Sequence, residues 1–313
     1  MVEFPTRTFF KAGAQYGHAQ LGVEAARLAY YKAELGEGQR ARLDAALALA
    51  GFSLLQSFSG ATGTQAFAAY RHADRLALVA FRGTEPDSIA DIGIDASALP
   101  LPWNGAGHVH AGFAKAFDDA RASIKHWLDT VGKDRAALLL CGHSLGGALA
   151  TLAASVWQPA ELITIGAPLV GNRQFVDSLT GIVCRRFFNC CDLVVRVPPP
   201  LLGYEHPPRP TYITWDAELR EAPPAAAIDL DRHHGRGEYF ARYAMRLGNV
   251  PTRDLADHAP VNYLRAFFRG SVALATDERD FGRDECHFLK LDGFALPMYK
   301  IGRQKTSRCS PLS

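Results

Sequence analysis

Short apolar runs alternate along the middle of the chain with longer segments whose apolar residues recur at helical spacing. The apolar runs cover residues 136–141 and 162–165, and a further strand is predicted at residues 183–188. The helical segments cover residues 114–131 and 145–156, with apolar positions three and four residues apart. A continuous apolar run is typical of a strand that is buried on both faces of a sheet. The pattern therefore predicts an α/β fold, with a mostly parallel central sheet and helices on both faces.

The flanking regions carry further, weaker patterns. Residues 20–50 indicate two helices that are broken at residues 36–38, and a hairpin follows with strands at 64–70 and 76–81. Towards the carboxyl end, the sequence predicts a strand, an irregular polar segment and a helix, at residues 211–215, 222–237 and 258–268 respectively.

The composition and the net charge limit the classes of function that the sequence supports. The chain has 313 residues, and its formal net charge of +2 gives no reason to expect nucleic acid as a partner. No window reaches 18 consecutive apolar residues, so we expect no transmembrane helix. Residues 1–11 lack the apolar core of a secretory signal. The sequence as written therefore predicts a cytoplasmic protein; a signal already removed, or export by another route, stays open. The oligomeric state is not indicated.

The cysteines do not form a pattern typical of disulfides or metal sites. Six are present, and Cys141 falls in a predicted central strand, where a reduced cysteine behaves as a small buried hydrophobe. Cys190 and Cys191 are adjacent, and a bond between them would strain the intervening peptide. Because no CxxC or CxxxH spacing is present, we do not expect a metal site made from this pair and His206.

The pentapeptide Gly142-His143-Ser144-Leu145-Gly146 lies between a predicted buried strand and a predicted helix. Gly142 and Gly146 lack the Cβ atoms that would collide in so tight a reversal of the chain. Ser144 then lies at a helix N-terminus, which favours developing negative charge. This arrangement resembles the nucleophile elbow of an α/β-hydrolase, and it predicts Ser144 as a nucleophile.

A serine nucleophile needs a base within hydrogen-bond reach, and the base needs an acid that fixes its tautomer. In α/β-hydrolases the chain order is nucleophile, acid and then histidine. Asp192 follows a predicted strand, at the sheet edge where α/β folds build their sites. Asp177, within a short predicted helix, is a weaker candidate, and a turn-forming role is the alternative for Asp192.

Five histidines follow the candidate acid: His206, His233, His234, His258 and His287. His233 and His234 lie in a charged stretch that predicts a solvated loop. His258 lies at a predicted junction between a loop and a helix. From the chemistry alone, His206 and His258 both stay open as the base.

Several separated segments together resemble the class 3 lipase family, which includes fungal triacylglycerol lipases and feruloyl esterases of the α/β-hydrolase superfamily. The segments are residues 25–30, 79–85, 109–113, 142–147, 164–168, 189–199 and 257–258. The resemblance covers about residues 20–270, which implies an α/β-hydrolase fold. We therefore expect a single domain over residues 1–313, in which residues 271–313 form a carboxyl-terminal extension of unknown role.

Matched residue by residue, the resemblance implies Ser144 as the nucleophile, Asp192 as the acid and His258 as the base. It places His206 in a stretch whose histidine is not the catalytic one.

The resemblance also implies an oxyanion hole made by the backbone N–H groups of Leu145 and Thr84, with the Thr84 hydroxyl helping to orient the site. It gives His110 and His143 supporting hydrogen bonds rather than catalytic roles.

The predicted reaction is hydrolysis of acyl esters through an acyl-enzyme, with acylglycerols and short- to medium-chain carboxylic esters as substrates. The implied mechanism requires no metal and no organic cofactor. An acyltransferase, a non-lipolytic carboxylesterase similar to feruloyl esterases, and a catalytically silent binding protein are the alternatives.

The connection at residues 85–107 occupies the place where lipases of this family carry a lid over the acyl pocket. It mixes apolar with acidic side chains, and Trp103 is among the apolar ones. We expect a cover that is polar outside and apolar beneath, with transient contact to a lipid interface when it opens. The alternative is a static loop that packs its apolar residues into the core.

Overall fold

A central sheet organises the part of the chain that the structure describes. The computed structural model describes residues 8–61, 63–83, 99–199, 202–242, 252–268, 288–291 and 294–297. The strands are β1 (Ser53–Ser59), β2 (Gln65–Arg71), β3 (Leu76–Phe81), β4 (Pro100–Pro102), β5 (His108–His110), β6 (Ala137–His143), β7 (Glu161–Ile165), β8 (Gly171–Asn172), β9 (Val183–Asn189), β10 (Tyr204–Glu205), β11 (Thr211–Ile213), β12 (Leu219–Glu221), β13 (Phe288–Leu291) and β14 (Phe294–Pro297). The helices are α1 (His18–Leu28), α2 (Glu37–Ala48), α3 (Ala111–Thr130), α4 (Leu145–Trp157), α5 (Arg173–Asp177), α6 (Ala225–Arg242), α7 (Arg253–Ala256) and α8 (Pro260–Leu264).

The order of strands in the central sheet is β1-β2-β3-β6-β7-β9-β11-β12. β1, β2 and β3 form an antiparallel meander, and the hairpin of β2 and β3 was predicted. From β3 to β11 each strand pairs in parallel with the next in the sheet, and β12 returns antiparallel to β11. The prediction of a mostly parallel sheet is therefore confirmed. A smaller sheet pairs β10, β8, β5 and β4 in that order.

The central sheet is buried on both faces because successive side chains of a strand point to opposite sides. Leu78 and Ala80 of β3 pack into one core, whereas Val79 and Phe81 pack into the other. The first core takes side chains from α1, α2 and α8, and the second takes side chains from α3 and α4. Helices therefore cover both faces, as predicted. In the described ranges, no helix combines the length and the apolarity needed to cross a membrane.

The segment 222–237 was predicted to be irregular, and this prediction is wrong because residues Ala225–Arg242 form α6. Along this helix the sequence is mostly polar, so apolar periodicity does not reveal it. The helix packs instead through a close approach at Gly235, where a Cβ would lie 3.0 Å from Trp215 Cβ. His233 and His234 thus lie on a helix rather than in a loop, although both are exposed as expected.

The region expected to form a lid is described only in its last part, since residues 85–98 lie outside the described residues. Trp103 is buried, and its indole N–H donates to Ser155 Oγ at 2.9 Å. This position corrects the expectation that Trp103 faces a lipid, and it agrees with static packing for this part of the segment. Leu99 and Leu101 nevertheless remain exposed, at 66% and 42% of their surface.

Candidate active site

The turn between β6 and α4 presents Ser144 at the edge of the sheet. Ser144 has φ 56° and ψ −129°, a positive-φ conformation that is strained for a residue with a side chain. A Cβ on Gly142 would overlap the backbone of Gly146, and a Cβ on Gly146 would overlap the carbonyl of Phe81. Only glycine fits at both positions, at Gly142 because of the turn itself and at Gly146 because the end of β3 passes against it.

Three side chains from separate parts of the chain meet at this turn. Ser144 follows β6, Asp192 follows β9, and His258 lies between α7 and α8. His258 Nε2 lies 2.9 Å from Ser144 Oγ, and His258 Nδ1 lies 2.9 and 3.0 Å from the two oxygens of Asp192. All three residues are buried, with Ser144 and Asp192 at 0% exposure. Because the carboxylate accepts from Nδ1–H, Nε2 is free to accept the serine proton.

The carboxylate of Asp192 has two further donors. The backbone N–H of Val194 donates to Oδ1 at 2.8 Å, and the Tyr263 hydroxyl donates to Oδ2 at 2.5 Å. The backbone N–H of Asn189 in turn donates to the Tyr263 hydroxyl oxygen at 3.1 Å. Burial, and then the nearby Asp192 charge, raise the pKa of Tyr263 well above its ordinary value, so the phenol stays protonated. Sequence reasoning missed Tyr263, whose only signal was an aromatic residue in the helix predicted after His258.

His143 bonds to the backbone of His258, and its ring packs against the His258 ring with the centroids 4.6 Å apart. Its Nε2–H donates to the His258 carbonyl oxygen at 2.7 Å, and the Tyr30 hydroxyl donates to its Nδ1 at 2.7 Å. Burial, and then the proximity of His258, lower the pKa of His143 well below its ordinary value. A neutral His143 therefore fits this hydrogen-bond pattern. His110 Nδ1 accepts the backbone N–H of Phe113 at 3.4 Å, at the start of α3.

Asp257, which is held in a buried ion pair with Arg253, links the segment that carries the histidine to the loop that carries the acid. Asp257 Oδ2 accepts the Arg253 Nε–H and the backbone N–H of Cys191, each at 2.9 Å. Arg253 also donates to the carbonyl oxygen of Trp215 at 2.8 Å. Burial raises the pKa of Asp257, and the Arg253 guanidinium opposes that rise. Because Asp257 directly precedes His258, this network fixes the two segments relative to each other. The sequence analysis did not predict a role for Arg253.

The structure describes one of the two predicted oxyanion-hole donors, Leu145. Leu145 is the first residue of α4, and N–H groups in the first turn have no intrahelical carbonyl to pair with. Thr84 lies outside the described residues. The preceding residue, Gly83, passes directly against the turn: a Cβ there would lie 3.1 Å from Ser144 Cβ and would overlap the Tyr30 hydroxyl.

The rival residues do not join this cluster. His206 Nε2–H donates to the carbonyl oxygen of Val195 at 2.8 Å. Asp177 pairs with Arg173 at 3.0 Å on the surface, where both side chains are exposed. His287 lies outside the described residues. Among the candidates that the structure describes, it therefore brings together Ser144, Asp192 and His258.

Comparison with protein families gives a match to lipase (class 3) over residues 78–202. This segment contains the sharp turn and the Asp192 loop. The match confirms the resemblance that was predicted from the separated motifs.

Two curated relatives to which the chain is similar are named as lipases. A secreted mono- and diacylglycerol lipase of Fusarium solani is 37% identical over 107 residues, which make up 31% of this chain and 32% of the relative. Lipase A of Sodiomyces alcalophilus is 28% identical over 228 residues, or 59% of this chain and 53% of the relative. The chain thus spans about a third to a half of the length of these relatives.

Two solved structures share the fold. The lipase of Rhizopus microsporus var. chinensis superposes with a TM-score of 0.50 at 27% identity, covering 62% of this chain and 72% of that one. The Rhizomucor miehei triacylglyceride lipase superposes with a TM-score of 0.53 at 24% identity, covering 63% and 77%. These similarities confirm the predicted α/β-hydrolase fold.

Proposed function

The chain belongs to the class 3 lipase family, which matches it over residues 78–202, and from this premise we propose that it is a serine ester hydrolase acting on acylglycerols. Ser144 is the nucleophile, His258 the general base and acid, and Asp192 the carboxylate that orients the histidine.

The observation that carries this proposal is the continuous hydrogen-bond chain from Ser144 Oγ through both ring nitrogens of His258 to Asp192. Serine is a weak nucleophile at neutral pH, so a histidine at 2.9 Å that is held in one tautomer supplies the activation it needs. The strained turn adds a second support, since it projects Oγ at a helix N-terminus where negative charge is stabilised.

In the acylation step, Ser144 Oγ attacks the ester carbonyl carbon while His258 Nε2 takes the hydroxyl proton. The imidazolium that forms is stabilised by Asp192 through Nδ1–H. The carbonyl oxygen becomes an oxyanion next to the Leu145 N–H, with the Thr84 N–H as the second proposed donor. The intermediate then collapses: the bond to the alcohol oxygen breaks, and His258 returns its proton to the leaving alcohol.

In the second half of the reaction, water takes the place of the alcohol. His258 accepts a proton from the water, whose oxygen attacks the acyl carbon on Ser144. The second tetrahedral intermediate releases the carboxylic acid, and the proton on His258 returns to Ser144 Oγ. No net proton stays on the enzyme, and the cycle needs only ester and water.

Acylglycerols are the proposed substrates because the relatives are named as lipases for mono- and diacylglycerols or triacylglycerides. Ser144 is fully buried, so an ester can reach Oγ only after the site opens. The exposed Leu99 and Leu101 offer apolar surface for contact with a lipid interface. A lid formed by residues 85–107 stays a prediction, since residues 85–98 lie outside the described residues.

A substrate series tests the proposal. Purified protein is assayed with p-nitrophenyl esters of increasing acyl length, and with tributyrin below and above its solubility limit. We expect ready hydrolysis of short to medium chains and a rise in rate when tributyrin forms a second phase. Smooth saturation below the limit would instead indicate a plain carboxylesterase, and failure with every ester would refute the proposed function.

Two broader expectations also stay predictions. The single-domain organisation over residues 1–313 is one, since most of residues 271–313 lie outside the described ranges. The cytoplasmic location is the other, and it gains no support from the Fusarium solani relative, which is named as secreted. Cell fractionation with an antibody against the protein tests the location.

A further inference from the structure

Two adjacent thiols and a carboxylate share a buried position behind the active site. Cys190 and Cys191 are 0% and 2% exposed, and their Sγ atoms lie 3.5 Å apart. A carboxylate oxygen of Asp257 lies within 4.8 Å of both sulfur atoms. Thiolates and carboxylates are ligands of Zn²⁺ in proteins. The sequence offered no such combination, because Asp257 is far along the chain.

The Asp257 carboxylate is only partly satisfied by the protein. Its Oδ2 accepts from Arg253 and from the Cys191 N–H. Its Oδ1 is buried and, among the described residues, has no hydrogen-bond partner. Buried carboxylate oxygens normally have partners, so this oxygen is available to accept from a ligand or a water molecule or to bind an ion. This observation is independent of the thiol pair.

A second carboxylate approaches the thiols from α6. Asp231 Oδ2 lies 3.3 Å from Cys190 Sγ, and it is held in place by the Tyr212 hydroxyl at 2.6 Å and the Trp215 N–H at 3.0 Å. Cys190, Cys191 and Asp257 lie mutually within 4.8 Å of one another, and Asp231, which contacts Cys190, would have to turn towards the other two to complete the four ligands of a structural zinc site.

The sulfur spacing fits a single ion. In a tetrahedral site with Zn–S bonds of about 2.3 Å, two thiolate sulfurs lie about 3.8 Å apart. The observed separation between Cys190 Sγ and Cys191 Sγ is 3.5 Å, so a small rotation of either side chain reaches the required value. His206, the partner considered from the sequence, is instead engaged by the Val195 carbonyl oxygen.

The charge balance also permits a cation here. Binding replaces two S–H protons by one Zn²⁺ ion and releases both protons, so the net charge of the buried cluster is unchanged. Of the two carboxylates, Asp257 already has a cation beside it, since Arg253 contacts it at 2.9 Å. No additional charge is therefore buried when the ion enters.

We propose that Cys190, Cys191, Asp257 and Asp231 form a structural site for a thiophilic divalent cation, with Zn²⁺ as the natural ligand. Cys191 directly precedes Asp192, and Asp257 directly precedes His258. The ion therefore fixes the loop of the acid to the segment of the histidine and to α6. This inference is independent of the proposed ester hydrolysis, since it concerns metal binding and stability.

Cobalt titration tests the site on the full chain. The protein is treated with a chelator, kept reduced, and titrated with Co²⁺ without oxygen. We expect thiolate-to-cobalt charge-transfer absorption that saturates at an equimolar amount of metal and disappears when Zn²⁺ is added. The double variant Cys190→Ser, Cys191→Ser should show no such absorption.

The matched control replaces three of the four cysteines outside the cluster, Cys184→Ser, Cys286→Ser and Cys309→Ser, keeps the buried core residue Cys141, and should keep the parent absorption. Zn²⁺ should also raise the melting temperature of the parent and of this control, but not that of the double variant. Absence of thiolate–cobalt absorption in the parent would overturn the proposal. So would absorption that survives in the double variant or disappears in the control, because the metal would then bind elsewhere.

Discussion

Removing the Tyr263 hydroxyl probes how the acid is held in place. In Tyr263→Phe, Asp192 Oδ2 loses the hydroxyl donor that lies at 2.5 Å. The substitution removes no atom of the hydrogen bond between Asp192 and His258. The backbone N–H of Asn189, which donates to the same hydroxyl at 3.1 Å, loses its acceptor. Since all these groups are buried, water cannot readily replace either bond.

The expected magnitudes follow from these two bonds. A hydrogen bond to a charged group contributes about 1.5–3 kcal/mol, and an orphaned buried N–H costs about 1–3 kcal/mol. We therefore expect Tyr263→Phe to lower the free energy of unfolding by roughly 3 kcal/mol. If the hydroxyl also holds Asp192 in position as the imidazolium forms, kcat should fall by about tenfold to a hundredfold, since 1.4 kcal/mol corresponds to a factor of ten. KM should change little, because Tyr263 touches the acid and not the substrate.

The assay combines urea unfolding with steady-state hydrolysis of a soluble p-nitrophenyl ester. Tyr212→Phe is the matched control, because its buried hydroxyl donates to Asp231 at 2.6 Å and makes no contact with Asp192. This control should lose stability and keep its turnover. If Tyr263→Phe also retains the parent kcat, the hydrogen bond is structural only and the positioning argument fails.

Three further predictions test the geometry around the site. His258→Ala should lower the rate of hydrolysis by roughly 10⁴-fold or more, whereas His206→Ala should chiefly lower the stability of the protein. The reverse pattern in steady-state assays would show that the wrong histidine was assigned. Gly166→Ala should lower kcat sharply, because Gly166 has φ +59° and a Cβ there would lie 2.8 Å from Asp192 Oδ2; a fully active variant would contradict this packing. The free energy of unfolding should fall as the pH drops from about 6.5 towards 3. Burial lowers the pKa of His206 to about 3 and also lowers the pKa of His143, so the unfolded chain takes up protons that the folded chain excludes. In urea unfolding at several pH values, His206→Gln should reduce this slope, and parallel profiles would refute the assignment.

The sharp turn and its strand could be predicted because their requirements are local. Gly142, Ser144 and Gly146 occupy fixed places in the pentapeptide, and at Gly142 the steric requirement comes from the neighbouring residues of the turn itself. Asp192 could be predicted as well, since it follows β9 at the sheet edge where the parallel strands end. The choice between His206 and His258 could not be made from chemistry, because only the folded chain shows which ring reaches the serine.

Other features depend on contacts between distant segments. Tyr263 reaches Asp192 through a fold that brings α8 onto the loop after β9, and no spacing signal marks that contact. The helix α6 escaped detection because most of its sequence is polar, and its close approach at Gly235 gives no apolar signal. Trp103 was assigned to a lipid-facing surface on apolarity alone, whereas its hydrogen bond to Ser155 places it in the core.

The most direct test of the central claim is labelling by a fluorophosphonate, which reacts readily only with an activated serine. The parent protein should be labelled in equimolar amount, and mass spectrometry of the digest should place the adduct on Ser144. Ser144→Ala should remain folded by circular dichroism and take up no label, since alanine fits the same backbone conformation and lacks Oγ. An unlabelled parent, or an adduct on another serine, would contradict the account that Ser144 is activated by His258 and Asp192.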